Sequence, residues 1–132
     1  MKTTRILIAL CIASFVLFAF KSDFQDEWIV PEKYVNMKNP TDPAVDLNIG
    51  KALYKKHCQS CHGSEGYGDG TKAAGLEGDL GDFSSEEYHA QTDGELFYKS
   101  YFGRGDMPNY EKKIPDEEDM WLIVNYMRTL KE

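Results

Sequence analysis

The pentapeptide Cys58-Gln59-Ser60-Cys61-His62 constrains the fold of this chain more than any other feature of the sequence. Cys-x-x-Cys-His is the signature of covalent haem c attachment, in which each thiol adds to one vinyl group of the porphyrin. His62 would then lie beside the iron as its proximal ligand. The sequence therefore predicts one haem c per chain, attached through Cys58 and Cys61, and a domain that buries most of it.

Other kinds of site share part of this motif. A structural zinc site usually takes its fourth ligand from a second CxxC or HxxxH pair, and the sequence contains neither. The neighbouring His57 cannot easily complete a tetrahedron whose other ligands are crowded together in the pentapeptide. A thioredoxin-type redox pair is expected in a βαβ context, whereas the pattern around Cys58 is helical. These comparisons favour haem attachment.

The second axial ligand of the iron must come from elsewhere in the chain. The candidates beyond residue 22 are the remaining histidines and methionines, namely Met37, His57, His89, Met107, Met120 and Met127. The last two belong to a strongly periodic helix, in which core packing is the ordinary explanation. His57 is too close to His62 along the chain to reach the opposite face of the haem. Met37 lies in an N-terminal arm, and the polar surroundings of His89 are typical of a surface histidine.

Met107 is the strongest of these candidates because of the segment that carries it. Gly103 and Gly105 precede it and Pro108 follows it, so the segment is a loop that can wrap over the haem and is stiffened beside the ligand. A thioether opposite a histidine favours reduced iron and raises the potential, which suits an electron carrier. We therefore predict Met107 as the distal iron ligand.

Helical periodicity leads directly into the cysteine motif. Leu47, Gly50, Leu53, Tyr54 and Cys58 are spaced three or four residues apart and share one helix face. We expect this helix to begin near Pro43, with Asp42 as its cap.

Three further helices are marked by their first turns. Helix starts are predicted at Ser84-Ser85-Glu86-Glu87, at the capping box from Thr92 to Glu95, and at the acidic run from Asp116 to Asp119. The last helix carries an apolar stripe from Met120 to Leu130 and must be buried. Residues 63–81 hold seven of the eleven glycines and read as a loop. No strand pattern appears, so we expect an all-α fold of four to five helices.

The N-terminal residues have the pattern of an export signal. Lys2 and Arg5 precede an apolar run over residues 6–20, which is shorter than the roughly 20 residues that a spanning helix needs. We predict residues 1–22 as a signal peptide, 23–42 as an arm that lies on the domain through Trp28, and 43–132 as the haem domain. The expected location is the periplasm. Because no clean cleavage site follows the apolar run, retention as a membrane tether through residues 6–20 stays open.

The net charge of the chain indicates which kinds of macromolecule it is expected to bind. Loss of residues 1–22 would remove Lys2, Arg5 and Lys21 and no acidic residue, so the net charge would fall from −7 to about −10. An acidic surface argues against nucleic acid as a partner, since Lys and Arg must neutralise its phosphates. It favours redox proteins with basic docking patches, although an acidic surface also serves solubility alone.

From about Asp42 to Lys131 the chain resembles the class I cytochrome c family. The resemblance rests on the amphipathic segment before CQSCH, the motif at 58–62, the Gly-Asp-Met-Pro segment at 105–108 and the final helix at 119–130. The run from His62 to Gly70 is similar to the HGxxGxGDG variant of many small bacterial cytochromes. The resemblance implies a compact cytochrome c fold, a haem bound by histidine and methionine, and electron shuttling.

The resemblance also implies two details of the structure. The first and last helices are expected to cross where Gly50 and Tyr54 meet Tyr126. Relatives commonly have a proline after the glycine loop, whose carbonyl accepts the ring N–H of the proximal histidine, but residues 76–81 contain none. Another backbone carbonyl must then orient His62, and the sequence does not identify it.

Three functions are compatible with these features. The leading hypothesis is a soluble or loosely tethered one-electron carrier, expected to be a monomer when soluble, rather than an enzyme. The second is a haem subunit of a larger membrane redox complex, held by residues 1–42. The third is a haem peroxidase or gas sensor, which would need an open iron site.

Overall fold

The computed structural model describes residues 28–131. The predicted signal peptide and the first residues of the predicted arm lie outside this range. Six α-helices and one 3₁₀ helix follow one another along the described residues: α1 Glu32–Val35, α2 Leu47–His57, α3 Gln59–His62, the 3₁₀ helix Ala73–Gly75, α4 Glu86–Ala90, α5 Asp93–Phe102 and α6 Glu117–Met127. Residues 28–131 contain no β-strand, so the prediction of an all-α fold is confirmed. The six α-helices of residues 28–131 are more than the four to five expected. The count includes the single-turn helices α1 and α3.

The predicted helix caps are formed at three helix starts. The side chain of Ser85 accepts a hydrogen bond from the backbone N–H of Tyr88 at the start of α4. Thr92 and Glu95 form a complete capping box at the start of α5. The side chain of Asp116 accepts from the backbone N–H of Glu118 and caps α6. Short side-chain acceptors therefore set these starts, as the sequence predicts.

The start of α2 is the exception, because the prediction of a helix from Pro43 is wrong by about one turn. Asp42 caps a separate turn, in which its carboxylate accepts from the backbone N–H of Ala44 over 2.8 Å. The helix begins at Leu47 after Asp46, whose φ of 60° is left-handed. This left-handed residue separates the turn from the helix, and α2 keeps the predicted face of Gly50 and Tyr54 buried.

The core is built around α6. Every residue from Met120 to Asn125 is buried, which agrees with the prediction that this helix is apolar nearly all round. The ring of Trp121 stacks on Phe97 of α5 with 4.2 Å between ring centroids. Helix α2 also packs against α6, so α6 contacts both the helix that precedes the cysteine motif and the helix that precedes the Met107 loop.

The described part of the arm lies on the domain, as expected. Tyr34 in α1 packs its ring against those of Tyr98 and Phe102 of α5, at centroid distances of 4.8 and 5.4 Å. Further along, Asn39 donates a hydrogen bond of 2.7 Å to the buried Asn125 of α6, which in turn donates to Thr41. No helix within residues 28–131 has the length and apolar character needed to cross a membrane.

Candidate haem site

The cysteine motif occupies a tight turn at the end of α2. The backbone N–H of Cys58 donates to the carbonyl of Tyr54 over 2.8 Å, and those of Cys61 and His62 donate to the carbonyl of Cys58 over 3.1 and 3.0 Å. Both cysteines are half-buried and neither forms a disulfide. Burial raises the pKa of the Cys58 thiol to about 12. The turn therefore presents both thiols and His62 from one short segment.

The glycine loop folds back over this turn. The backbone N–H of Gly68 donates to the carbonyl of His62 over 2.9 Å, and that of Gly70 donates to Cys61 over 3.1 Å. A Cβ atom at Gly70 would lie 2.5 Å from the carbonyl oxygen of Ser60, so only glycine allows this approach. The hydroxyl of Tyr54 in α2 donates to the carbonyl of Gly63 over 2.8 Å. These hydrogen bonds fix the position of the cysteine motif relative to the loop and α2.

His62 is buried and held by two neighbours. Its Nδ1 atom lies 3.1 Å from the carbonyl oxygen of Leu80, and its ring stacks on Phe83 with 4.6 Å between centroids. Because a carbonyl only accepts, Nδ1 carries the proton and Nε2 keeps its lone pair. Burial also lowers the pKa of His62, which favours the neutral imidazole that binds metals. The Leu80 carbonyl is the partner that the sequence left unassigned.

The Met107 loop is shaped by its glycines. Gly103 and Gly105 have φ values of +66° and +58°, a region that other residues rarely adopt. Between them and Met107 the chain turns sharply, so that the Met107 N–H donates to the carbonyl of Arg104 over 3.0 Å. The carboxylate of Asp106 accepts from the backbone N–H of Glu77 over 3.0 Å. The loop is therefore joined to the segment that carries Leu80.

His62 and Met107 line the same cavity. It has a volume of about 640 Å³, within the range of small-molecule and cofactor sites. The remaining walls are residues 76–81, Phe83, Tyr88, Gln91, parts of α5, residues 104–106 and Trp28. Cys58 and Cys61 are not among the lining residues but lie on the turn that carries His62. None of the other candidate iron ligands lines this cavity.

The residues around the cavity fit a haem. The imidazole of His62 and the thioether of Met107 are the donor types that bind haem iron in electron-transfer cytochromes. The hydroxyl of Tyr88 is buried at the cavity wall and has no hydrogen-bond partner among the described residues. A buried hydroxyl of this kind normally has a partner, and a polar substituent of a bound haem would supply one.

The other candidate ligands lie elsewhere. Met120 and Met127 are buried in the core at 1% and 2% exposure, which agrees with their assignment to core packing. The ring of His57 lies edge-on against Tyr110, 5.9 Å away. The expectation that His89 is a surface residue is only partly right, because the residue is half-buried, its Nε2 atom is buried and its ring packs edge-on against Tyr88.

Comparison with known proteins gives one family and several structural neighbours. The family model described as Cytochrome c matches residues 47–131. A chain of the reducing HAO-like protein complex Kustc0457/Kustc0458 of Kuenenia stuttgartiensis superposes with a TM-score of 0.61 and 26% identity, over 74% of this chain and 49% of that one. This chain thus spans about half the length of that neighbour. The KustC0563 c-type cytochrome superposes with a TM-score of 0.53 and 26% identity, over 63% of this chain and 98% of its own. No curated protein matches the sequence.

Proposed function

Because the chain belongs to the cytochrome c family, we propose that it carries single electrons on one haem c attached through Cys58 and Cys61. In this proposal His62 and Met107 are the two axial ligands of the iron. The observation that carries it is that His62 and Met107, from two distant segments, line one cavity. The similarity to two c-type cytochrome structures supports the same function.

The residues of the chain have defined tasks in this function. A bound haem supplies an iron that takes up and releases single electrons. The carbonyl of Leu80 holds the Nδ1 proton of His62, so that Nε2 is free to bind and the ring keeps one orientation. The glycine turn from Gly103 to Met107 brings the thioether to the cavity. The buried rings of Phe83 and Tyr88 would shield a bound haem from water beside His62.

We further propose that the protein works outside the cytoplasm. The basic N-terminus and apolar run of residues 1–22 support export to the periplasm, with the signal either removed or kept as a tether. With the signal removed, a net charge of about −10 favours redox partners with basic docking patches. The soluble form would be a monomer.

A second candidate is a haem subunit of a larger redox complex. The observation that favours it is the likeness to part of a longer chain, 49% of which is covered, in a HAO-like protein complex. Fractionation followed by size-exclusion chromatography separates the two candidates. A monomer in the soluble periplasmic fraction supports the carrier, whereas a membrane-bound or co-eluting assembly supports the subunit.

The attachment of haem is tested on the denatured protein. A haem stain on a denaturing gel, combined with the intact mass, should show one covalent haem per chain and locate the true N-terminus. The Cys58→Ser/Cys61→Ser variant should lose the stain. A wild-type mass equal to the bare polypeptide would overturn the proposal.

The axial ligands are tested by spectroscopy. The oxidised protein should show the near-infrared band of a thioether bound to iron, which Met107→Ala should abolish. Met37→Ala is the matched control and should keep the band, because Met37 does not line the cavity. A five-coordinate wild type that binds carbon monoxide rapidly would instead support the gas-sensor or peroxidase hypothesis.

A further inference from the structure

Trp28 is a wall of the haem cavity that comes from outside the part of the chain that matches the cytochrome c family. The family match begins at residue 47, whereas Trp28 lies in the arm and is one of the cavity-lining residues. Its side chain is half-buried, while the next residue, Ile29, is 80% exposed. The arm therefore directs one aromatic side chain inward at this point.

The ring of Trp28 contacts the loop that carries Met107. The guanidinium carbon of Arg104 lies 4.7 Å from the centroid of the Trp28 ring, which is the geometry of a cation–π contact. The carbonyl of Arg104 accepts from the backbone N–H of Met107 over 3.0 Å. A Cβ atom at Gly103 would overlap the Met107 carbonyl, so the turn is closely packed. Trp28 therefore contacts the residue whose carbonyl holds the backbone N–H of Met107.

The arm that carries Trp28 is anchored to the domain. In α1, Tyr34 packs on Tyr98 and Phe102, and a Cβ atom at Gly94 would overlap the backbone carbonyl of Tyr34. Only a glycine at position 94 lets α1 approach α5 so closely. Trp28 is thus connected to α5, which leads into the Met107 loop.

The loop is also held through Asp106. Its carboxylate accepts the backbone N–H of Glu77, which belongs to another wall of the cavity. The two contacts restrain the residues on either side of Gly105, which are Arg104 and Asp106. The Asp106 contact lies within the part of the chain that matches the family, and the Trp28 contact is supplied by the arm.

We propose that Trp28 is a positioning residue for Met107, which holds the 103–107 loop closed over the cavity through Arg104. The inference rests on the proposed role of Met107 as the distal ligand. An added ligand such as imidazole binds the iron only when Met107 has left it. The apparent affinity for imidazole is therefore proportional to the fraction of molecules with the loop open.

The test measures imidazole binding to the oxidised holoprotein and its near-infrared thioether band. Trp28→Ala should bind imidazole roughly threefold to thirtyfold more tightly, as the loss of one cation–π contact implies. Trp28→Phe retains an aromatic face and should stay close to the wild type. Ile29→Ala is the matched control, because it changes the neighbouring exposed residue of the same arm. Arg104→Gln removes the other partner of the same contact and should also tighten imidazole binding. Because Arg104 is exposed, this variant keeps the test available if Trp28→Ala fails to fold.

The outcomes separate this inference from the proposed function. Unchanged imidazole affinity in Trp28→Ala and Arg104→Gln, with the thioether band present in the wild type, would overturn the inference alone. Equal increases in Trp28→Ala and Ile29→Ala would also overturn it, since the effect would then come from the arm in general. Absence of the band in the wild type would overturn the assignment of Met107 and the inference with it. A haem-stained protein with the band, and an increase confined to Trp28→Ala and Arg104→Gln, supports both.

Discussion

Gly50 lies directly against Leu122 where α2 crosses α6. A Cβ atom at position 50 would overlap the backbone carbonyl of Leu122 and would lie 3.2 Å from the Cβ atom of Tyr126. One turn further along α2, the ring of Tyr54 packs on that of Tyr126 with 5.2 Å between centroids. The crossing implied by the family resemblance is thereby confirmed. It sets the position of the end of α2, from which the cysteine motif begins.

The first prediction concerns this crossing. Gly50→Ala should lower the free energy of unfolding by about 1–3 kcal/mol, because the added methyl group forces the two helix backbones apart. The loss occurs although alanine favours a helix by up to about 1 kcal/mol over glycine. Denaturant titration measures it. Gly75→Ala is the control, since a Cβ atom there meets no atom within 4 Å. Equal stability of the two variants would contradict the close contact.

The parts of the structure that were predictable have local chemical signals. The caps of α4, α5 and α6 depend on side chains that bind the backbone within the same turn, and this chemistry is visible in the sequence. The start of α2 was not predictable in this way. Asp42 and Pro43 have the residue types of a helix cap, but the carboxylate of Asp42 caps a separate turn instead. The left-handed backbone of Asp46 cannot be predicted from its side chain.

The hydrogen-bond partner of the His62 ring could not be predicted from the sequence for a related reason. Its partner is a backbone carbonyl, that of Leu80, and every residue has one, so only the fold determines which carbonyl arrives. The contact of Trp28 with Arg104 joins residues that are distant in the sequence and likewise requires the tertiary structure. Met107 could be selected because glycine and proline mark its loop, which is a local signal.

The second prediction concerns the ring that stacks on His62. Phe83→Leu should leave the haem attached but change the electron paramagnetic resonance spectrum of the oxidised protein, because the stack at 4.6 Å restrains the imidazole plane. Tyr88→Phe is the control. It retains the ring that stacks on the far face of Phe83 at 4.5 Å. A Phe83→Leu spectrum identical to that of the wild type would show that the Leu80 carbonyl alone orients the ring.

The third prediction concerns the anchor between the arm and α6. Asn125 is only 3% exposed and binds both Asn39 and Thr41. Asn125→Ala should lower the free energy of unfolding by about 1–3 kcal/mol, because it leaves polar partners unpaired. Asn36→Ala, at an exposed asparagine of the same arm, should change it by no more than about 0.5 kcal/mol.

A double-mutant cycle measures the interaction energy between Asn39 and Asn125. Asn39→Ala and Asn125→Ala should be non-additive by at least about 0.5 kcal/mol, since the two amides are in direct contact. Strict additivity would show that the arm is not held through this hydrogen bond in solution.

The fourth prediction concerns alkaline stability and Tyr110, whose hydroxyl donates to the carbonyl of His57 over 2.7 Å. Burial raises the pKa of Tyr110 from 10.0 to about 12. Between these two pH values the unfolded chain loses the proton while the folded chain retains it, so the free energy of unfolding falls as the pH rises. The contribution is complete below pH 10 and is lost across this window. Tyr110→Phe removes the titrating group, so its stability should fall less steeply with pH than that of the wild type.

Denaturant titrations at a series of pH values measure this difference in slope. Between about pH 7 and pH 9 an ordinary tyrosine stays protonated in both states, so the two stability curves should run parallel there. The variant should lie lower by about 1 kcal/mol for the lost hydrogen bond to His57. Curves that remain parallel up to about pH 12 would contradict the raised pKa of Tyr110. A smaller slope in the variant only above pH 10 would identify this buried hydroxyl, beside the cysteine motif, as one of the groups whose ionisation unfolds the haem domain.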